Sequence, residues 1–262
     1  MTATIDIQLS APVNLRDLGG IRVGDSALRD GFVVRADDLS MITSEVAQDL
    51  VENGLTGVID LRSKDEVALT GRGPLAAHRV TYHHLPLMDS MTTVMDNVTT
   101  GTGSAKAFSV DRVHFGEMYA SMVEVAADRL VSALSIMAVA PGTTAFHCAG
   151  GRDRTGVLAA TLLLALGADD DAIVTDYAAT EANMPAINAR LRPVVSVLMS
   201  AKGVDADEMA SQMAALTEPS SVSMLTMLAR LRDRHGDPLA PLRAAGLSNS
   251  VVAQLKARAL AG

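Results

Sequence analysis

Cys148 and Arg154 lie six positions apart in the run His147-Cys148-Ala149-Gly150-Gly151-Arg152-Asp153-Arg154-Thr155-Gly156. The adjacent glycines let the backbone curl until successive N–H groups point inward as an anion-binding nest, and a helix starting just beyond them adds its positive end. Such a loop, from Ala149 through Gly150, Gly151, Arg152, Asp153 and Arg154 to Thr155, cradles a phosphate. A cysteine at its entrance sits where amide dipoles and a guanidinium favour thiolates, the nucleophilic form of that side chain. Arg154 closes the ring with a planar fork that can hold two phosphoryl oxygens and stabilise transition-state charge; a lysine cannot do this bidentately. Thr155 is placed for its hydroxyl to donate to the sulfur when that sulfur leaves in a second step. His147 is assigned to shaping the loop through hydrogen bonds rather than to acting as a base. The plainer reading makes Cys148 a small buried hydrophobe at an ordinary strand-to-helix turn, but the complete pattern in its context outweighs it.

For the loop to work, a strand must deliver Cys148 and a helix must carry Arg154 onward. Residues 143–146 are the strand candidate, and almost everything beyond Gly156 reads as helical, with breaks near Gly167, Pro185, Gly203, Pro219, Gly236 and Gly246. The first third reads as strands and turns. Residues 21–23, 24–26 and 32–35 suggest antiparallel strands around tight turns, and 57–61 and 80–85 are further strand candidates. A helical segment over 44–53 precedes the latter two, and helical apolar spacing returns over 117–140. Between them, 88–113 breaks down into Thr, Gly, Ser and Asp, the composition of a long mobile or functional loop. The Met-rich amphipathic stretch 204–217 is a candidate lid helix or an ordinary surface helix. With no repeat and no linker-like segment, the expectation is a single domain over 1–262, α/β in class, its central sheet flanked by helices and its C-terminal half helical.

Composition narrows the function. The 262 residues are 48% apolar, enough for a substantial core, but Trp is absent and aromatics are 3%, so aliphatic side chains and the 14 Met must fill it. A net charge of −8 argues against a general nucleic-acid binder and requires a local positive site for any anionic substrate. One cysteine allows no intrachain disulfide. The N-terminus lacks the basic and apolar regions of a Sec-type signal peptide, and the longest apolar stretch, 157–166, is about half a bilayer span, so no transmembrane segment is expected. The expected location is cytoplasmic, or secreted by another route. The histidines show no metal-ligand spacing with the cysteine, so no metal is assigned.

HCAGGRDRTG resembles the phosphate-binding loop of the protein tyrosine phosphatase superfamily, in the branch represented by mycobacterial protein tyrosine phosphatase B. Asn14-Leu15-Arg16-Asp17-Leu18-Gly19-Gly20, Val58-Ile59-Asp60-Leu61-Arg62-Ser63, Asp176-Tyr177 and the run 235–247 are similar to that branch as well. The resemblance implies a tyrosine-phosphatase-like sheet, a cysteinyl-phosphate intermediate on Cys148, no metal or other cofactor, and hydrolysis of phosphotyrosine in proteins with release of inorganic phosphate. Some members also accept phosphoserine, phosphothreonine and phosphoinositides. Arg152 stands where the branch carries Lys, so a cation is retained. Without Trp there is no Trp-Pro-Asp loop to supply the general acid. Asp153 matches the branch's proposed acid, and Asp89, after Leu85-Pro86-Leu87, is the other candidate. Asn14, Arg16, Asp17, Asp60 and Arg62 are expected to brace the loop through buried polar contacts. The alternative function is a non-catalytic module that binds phosphotyrosine or a phosphoinositide headgroup. A redox-sensing thiol is a third, and no second cysteine is present to resolve a sulfenic acid.

Overall fold

The structure is a computed structural model that describes residues 8–88, 111–200, 211 and 217–260. Among the described residues seven strands follow one another as β1 (Arg16–Asp17), β2 (Arg22–Val23), β3 (Ser26–Ala27), β4 (Val33–Ala36), β5 (Leu55–Asp60), β6 (Thr81–His84) and β7 (Thr143–His147). Five of them form one sheet in the order β1-β4-β7-β5-β6, and β2 and β3 pair separately as a short hairpin. Within the sheet β4, β7, β5 and β6 run parallel, and only the edge strand β1 is antiparallel to its neighbour.

β7 is the central strand and is buried along its whole length. Its residues alternate between two apolar layers, as strand geometry requires: Phe146 joins Leu18, Phe32, Ile59 and Leu61 on one face, Ala145 joins Ala36, Leu55 and Val58 on the other. Both faces of a parallel sheet must be covered, and helices do this here. The second layer receives α1 (Ser44–Glu52) and α2 (Lys64–Thr70) follows β5. The first layer receives α3 (Arg112–Val125), α4 (Ala127–Val139), α5 (Asp153–Leu166), α6 (Asp170–Ala178), α8 (Ser221–His235), α9 (Ala240–Ala244) and α10 (Asn249–Ala259). α7 (Met184–Ser200) packs Ile187, Leu191 and Val194 against Met41 and Ala149. α5 is apolar nearly all round and is the interior helix of the first layer.

Residues 32–35, expected in an antiparallel arrangement, are antiparallel only to β1; against β7 they are parallel, because a crossover and not a hairpin joins them. The helix expected over 117–140 is two helices that meet at Ala126, whose φ of −104° and ψ of 24° interrupt the helical path without any Gly or Pro. Most of the loop expected over 88–113 and of the lid helix expected over 204–217 lies outside the described residues. Among the described residues no helix is long and apolar enough to cross a membrane.

Pairing register fixes where chemistry can gather. Ala36 of β4 and Asp60 of β5 both lie opposite His147 of β7, so three strands end at one level. The residues that follow them, Asp37-Asp38, Leu61-Arg62 and Cys148, therefore emerge together at the carboxyl edge, where open parallel sheets bind ligands.

Candidate active site

Cys148 leaves the central strand and is buried, 2% exposed. The chain then curls through Ala149, Gly150 and Gly151 before α5 begins at Asp153. Gly151 adopts a φ of +67°, and a Cβ there would come 2.4 Å from the Ala36 carbonyl oxygen, so only glycine suits the turn. Three successive carbonyls of the curl are tied to the surrounding scaffold. Ala149 O accepts from Asp38 N at 2.9 Å; Gly150 O and Gly151 O accept from Asn14 Nδ2 at 3.2 Å each; Gly151 O also accepts from Arg35 at 2.9 Å. Carbonyls held outward turn the following amides inward, which is the geometry of an anion nest beside a helix N-terminus.

The donors are themselves anchored. Arg35, fully buried, pairs with Asp176, which also accepts from Arg16 Nε at 3.1 Å. Arg16 reaches Asn14 Oδ1 at 2.8 Å and Thr180 Oγ1 at 3.1 Å. Asp37 takes Asn14 N at 3.0 Å and Arg190 at 2.5 Å. The expectation for Asn14 and Arg16 thus has a concrete form: both connect the N-terminal segment to the loop. Asp17 is placed differently. Its carboxylate is exposed and accepts from Gly19 N at 2.7 Å and Gly31 N at 2.8 Å, closing the corner between β1 and β4 rather than touching the loop.

Asp60 and Arg62 form a second brace. Arg62 is 1% exposed and donates to Asp60, to Asp38 at 3.0 Å, to Ser40 at 2.8 Å, to Thr70 at 2.6 Å and to the Gly71 carbonyl at 2.8 Å. Burial works against a charged Asp60, but His147 and Arg62 prevail and hold its carboxyl well below the usual range. His147 lies between the two acids, Nδ1 4.0 Å from Asp38 and Nε2 3.8 Å from Asp60, with Nδ1 also 3.1 Å from the Cys148 carbonyl. This position suits the loop-shaping role and keeps the ring among structural carboxylates.

Arg154 projects from the first turn of α5 and is gripped by Glu66 through two parallel bonds of 2.5 and 2.9 Å. Glu66 is the third residue of α2, where it also accepts from Ser63 N at 2.7 Å while Ser63 Oγ accepts from Glu66 N at 3.3 Å, a complete capping box. Burial opposes its ionisation, yet Arg154 and Ser63 hold the carboxyl down at about 2. The end-on pair uses one N–H of Nη1 and one of Nη2, which leaves the Nε–H and the second Nη2–H side by side as a fork for two phosphoryl oxygens. Glu66 was not among the expected site residues; the Ser63-x-x-Glu66 spacing marks a helix start but not the second partner.

Asp153 lies at the rim, its side chain 42% exposed. One oxygen, Oδ1, accepts a short hydrogen bond from the Tyr119 hydroxyl, which is 2.8 Å from the Tyr177 hydroxyl, and that in turn lies 3.3 Å from Arg152 Nε. Arg152 is 6% exposed and has a buried terminal nitrogen, NH2, without a hydrogen-bond partner; Thr155 Oγ1, fully buried within the loop, likewise has none. Asp89 lies outside the described residues. Among the described residues no group of three or more His, Cys, Asp or Glu could hold a metal ion.

The arrangement suits attack by a sulfur on an anion held by inward amides and Arg154, with a carboxyl at the rim to exchange a proton. The triple specificity protein phosphatase PtpB of Mycobacterium tuberculosis is 27% identical over 207 residues, 72% of this chain and 74% of that one. A tyrosine-protein phosphatase of Nostoc commune is 25% identical over 242 residues, 87% of this chain and 74% of its own. The family described as the tyrosine phosphatase family matches residues 7–261, a span that takes in the loop and every residue bracing it. The chain belongs to that family, and it is a protein-tyrosine phosphatase.

Proposed function

We propose that the protein hydrolyses phosphotyrosine in protein substrates by two successive in-line displacements at phosphorus, with Cys148 as the nucleophile. In the first, the Cys148 thiolate attacks phosphorus; the S–P bond forms as the P–O bond to the tyrosyl oxygen breaks, and Asp153 gives that oxygen its proton. In the second, water attacks the cysteinyl phosphate, its proton passes to the Asp153 carboxylate, and the S–P bond breaks to release inorganic phosphate and the thiolate. The inward amides and the Nε–H and Nη2–H fork of Arg154 stabilise the equatorial oxygens in both steps, and the unpartnered Thr155 hydroxyl is available to the departing sulfur.

The observation that carries this reading is the outward anchoring of three consecutive carbonyls, Ala149 to Gly151, around a cysteine delivered by the central strand. The test is Cys148→Ser. With para-nitrophenyl phosphate the variant should show no turnover while inorganic phosphate still binds, because a hydroxyl stays protonated near neutral pH whereas the amides and Arg154 remain. Hydrolysis at a tenth of the wild-type rate or above would remove Cys148 from the role of nucleophile. Failure of the wild-type protein to turn over any phosphomonoester would favour the non-catalytic binding module.

The same site is proposed to accept phosphoserine, phosphothreonine and phosphoinositides. Two observations favour that breadth: the M. tuberculosis relative is named a triple specificity phosphatase, and Arg152 places a second buried cation beside the loop with one nitrogen unpartnered. A panel of phosphopeptides and phosphoinositides checks it, and activity confined to phosphotyrosine would contradict it.

A further inference from the structure

Two phenol hydroxyls and the Arg152 guanidinium lead from the interior to one oxygen of Asp153. α3 delivers Tyr119 and α6 delivers Tyr177, both buried, their rings edge to face with centroids 6.0 Å apart. Room for the second ring comes from Gly156 on α5, where a Cβ would stand 2.8 Å from Tyr177 Cδ2. The direction of the chain follows from the hydrogens available. Arg152 Nε only donates, so Tyr177 O accepts from it; the single Tyr177 proton then points to Tyr119 O, and the single Tyr119 proton points to Asp153 Oδ1. The reverse direction would send two donors to Tyr177 O and leave its own buried proton without an acceptor in this chain, which buried donors avoid. Burial, reinforced by the charge of Asp153, holds both phenols above the ordinary tyrosine range, so both keep their protons.

We infer that Tyr119 is a positioning residue for proton transfer: by fixing Oδ1 as an acceptor it places the transferable proton of Asp153 on Oδ2, the oxygen left free to meet the leaving group. Tyr177 and Arg152 Nε set the direction of the Tyr119 proton one and two links further back, and Arg152 Nε, 3.7 Å from Oδ1, also favours the negative charge on that same oxygen. The inference rests on the reading of Asp153 as general acid and adds which oxygen delivers the proton and what enforces the choice. Tyr119 touches no reacting atom, and its effect should appear only in steps that depend on protonating the leaving oxygen.

The experiment compares Tyr119→Phe, Asp153→Asn and the double variant of the full chain on phenyl phosphate, a poor leaving group, and para-nitrophenyl phosphate, a good one. Tyr119→Phe should lower kcat on phenyl phosphate about tenfold and on the nitrophenyl ester by less than about threefold, with KM unchanged. In the Asp153→Asn background it should cause no further loss, since there is no longer a proton to place. Equal slowing of both esters by Tyr119→Phe, or losses that add in the double variant, would overturn the inference while leaving Asp153 as the acid. If Asp153→Asn itself slowed both esters equally, the acid reading would fail and the inference with it. Should Tyr119→Phe not fold, Tyr177→Phe carries the test: a smaller loss confined to the poor leaving group is expected, and equal loss on both esters would overturn the inference.

Discussion

Two arginines one residue apart from each other's neighbour Asp153 have different surroundings, and their substitutions should separate. Arg154 is fixed end-on by Glu66, so its remaining N–H bonds are aimed as a rigid fork. Arg154→Lys replaces that fork by a point charge and should cost about a hundredfold or more in kcat. Arg152 donates one Nε–H to Tyr177, pairs with Asp153 Oδ1 at 3.7 Å and lies beside Met184 and the Phe115 ring, contacts that a lysine stem and ammonium can largely reproduce. Arg152→Lys should stay within about tenfold of wild type on para-nitrophenyl phosphate. Steady-state kinetics of the two variants checks this, and equal losses would contradict the separate roles. At this scale the run from His147 to Thr155 was legible because an anion nest is built from neighbouring amides, and Asn14, Arg16, Asp60 and Arg62 were legible as braces though not in which partner each one meets. Glu66, Tyr119, Arg35 and Arg190 were not legible, since each meets its partner across 34 to 153 residues of sequence.

A capped helix start does double duty in α2. Glu66 closes the capping box with Ser63 and holds Arg154, so one carboxylate couples the helix to the catalytic loop. Its carboxyl is depressed from an ordinary 4.5 to about 2, so its contribution to stability is complete above pH 4.5 and is lost as pH falls toward 2. The side chain is only 5% exposed, and the depression corresponds to about 3 kcal/mol. Urea unfolding at pH 7, 4 and 3 should show wild type losing stability on the acid side and Glu66→Gln losing less of it, from a lower starting value. Identical acid slopes for the two proteins would contradict the coupling. Elements themselves were legible where periodicity was local: α1 over Ser44–Glu52, β5, β6 and β7 all appear within a residue or two of expectation. Strand direction was not, because β4 could pair antiparallel or parallel until β7, more than 100 residues later, took its place beside it. The break at Ala126 was invisible for a similar reason: no breaker residue marks it, and packing decides it.

Across the molecule, the parallel sheet brings Asp37-Asp38, Arg62 and Cys148 to one edge, and the N-terminal segment, α2 and α6 close around them. Asn14, Arg16, Arg35 and Asp176 tie that segment, β4 and α6 to the loop's carbonyls, so the path of the loop backbone is held by the scaffold itself. In the proposed reaction such preorganisation lowers the barrier, since no dipole would have to turn as charge develops. The α/β class and the helical second half were legible because βαβ order and helix breaks are written locally; that distant residues brace the loop was legible too, but not the pairs, since ion pairs such as Arg35 with Asp176 join segments 141 residues apart. The central claim is that phosphate passes through Cys148. Rapid acid quench of the full chain during turnover of para-nitrophenyl phosphate, followed by mass spectrometry of the peptide that contains Cys148, tests it most directly. A transient phosphate adduct on Cys148, accumulating in Asp153→Asn when water attack slows and absent in Cys148→Ser, is the expected result. Turnover with no adduct on Cys148 at any time, or an adduct on another residue, would contradict the account.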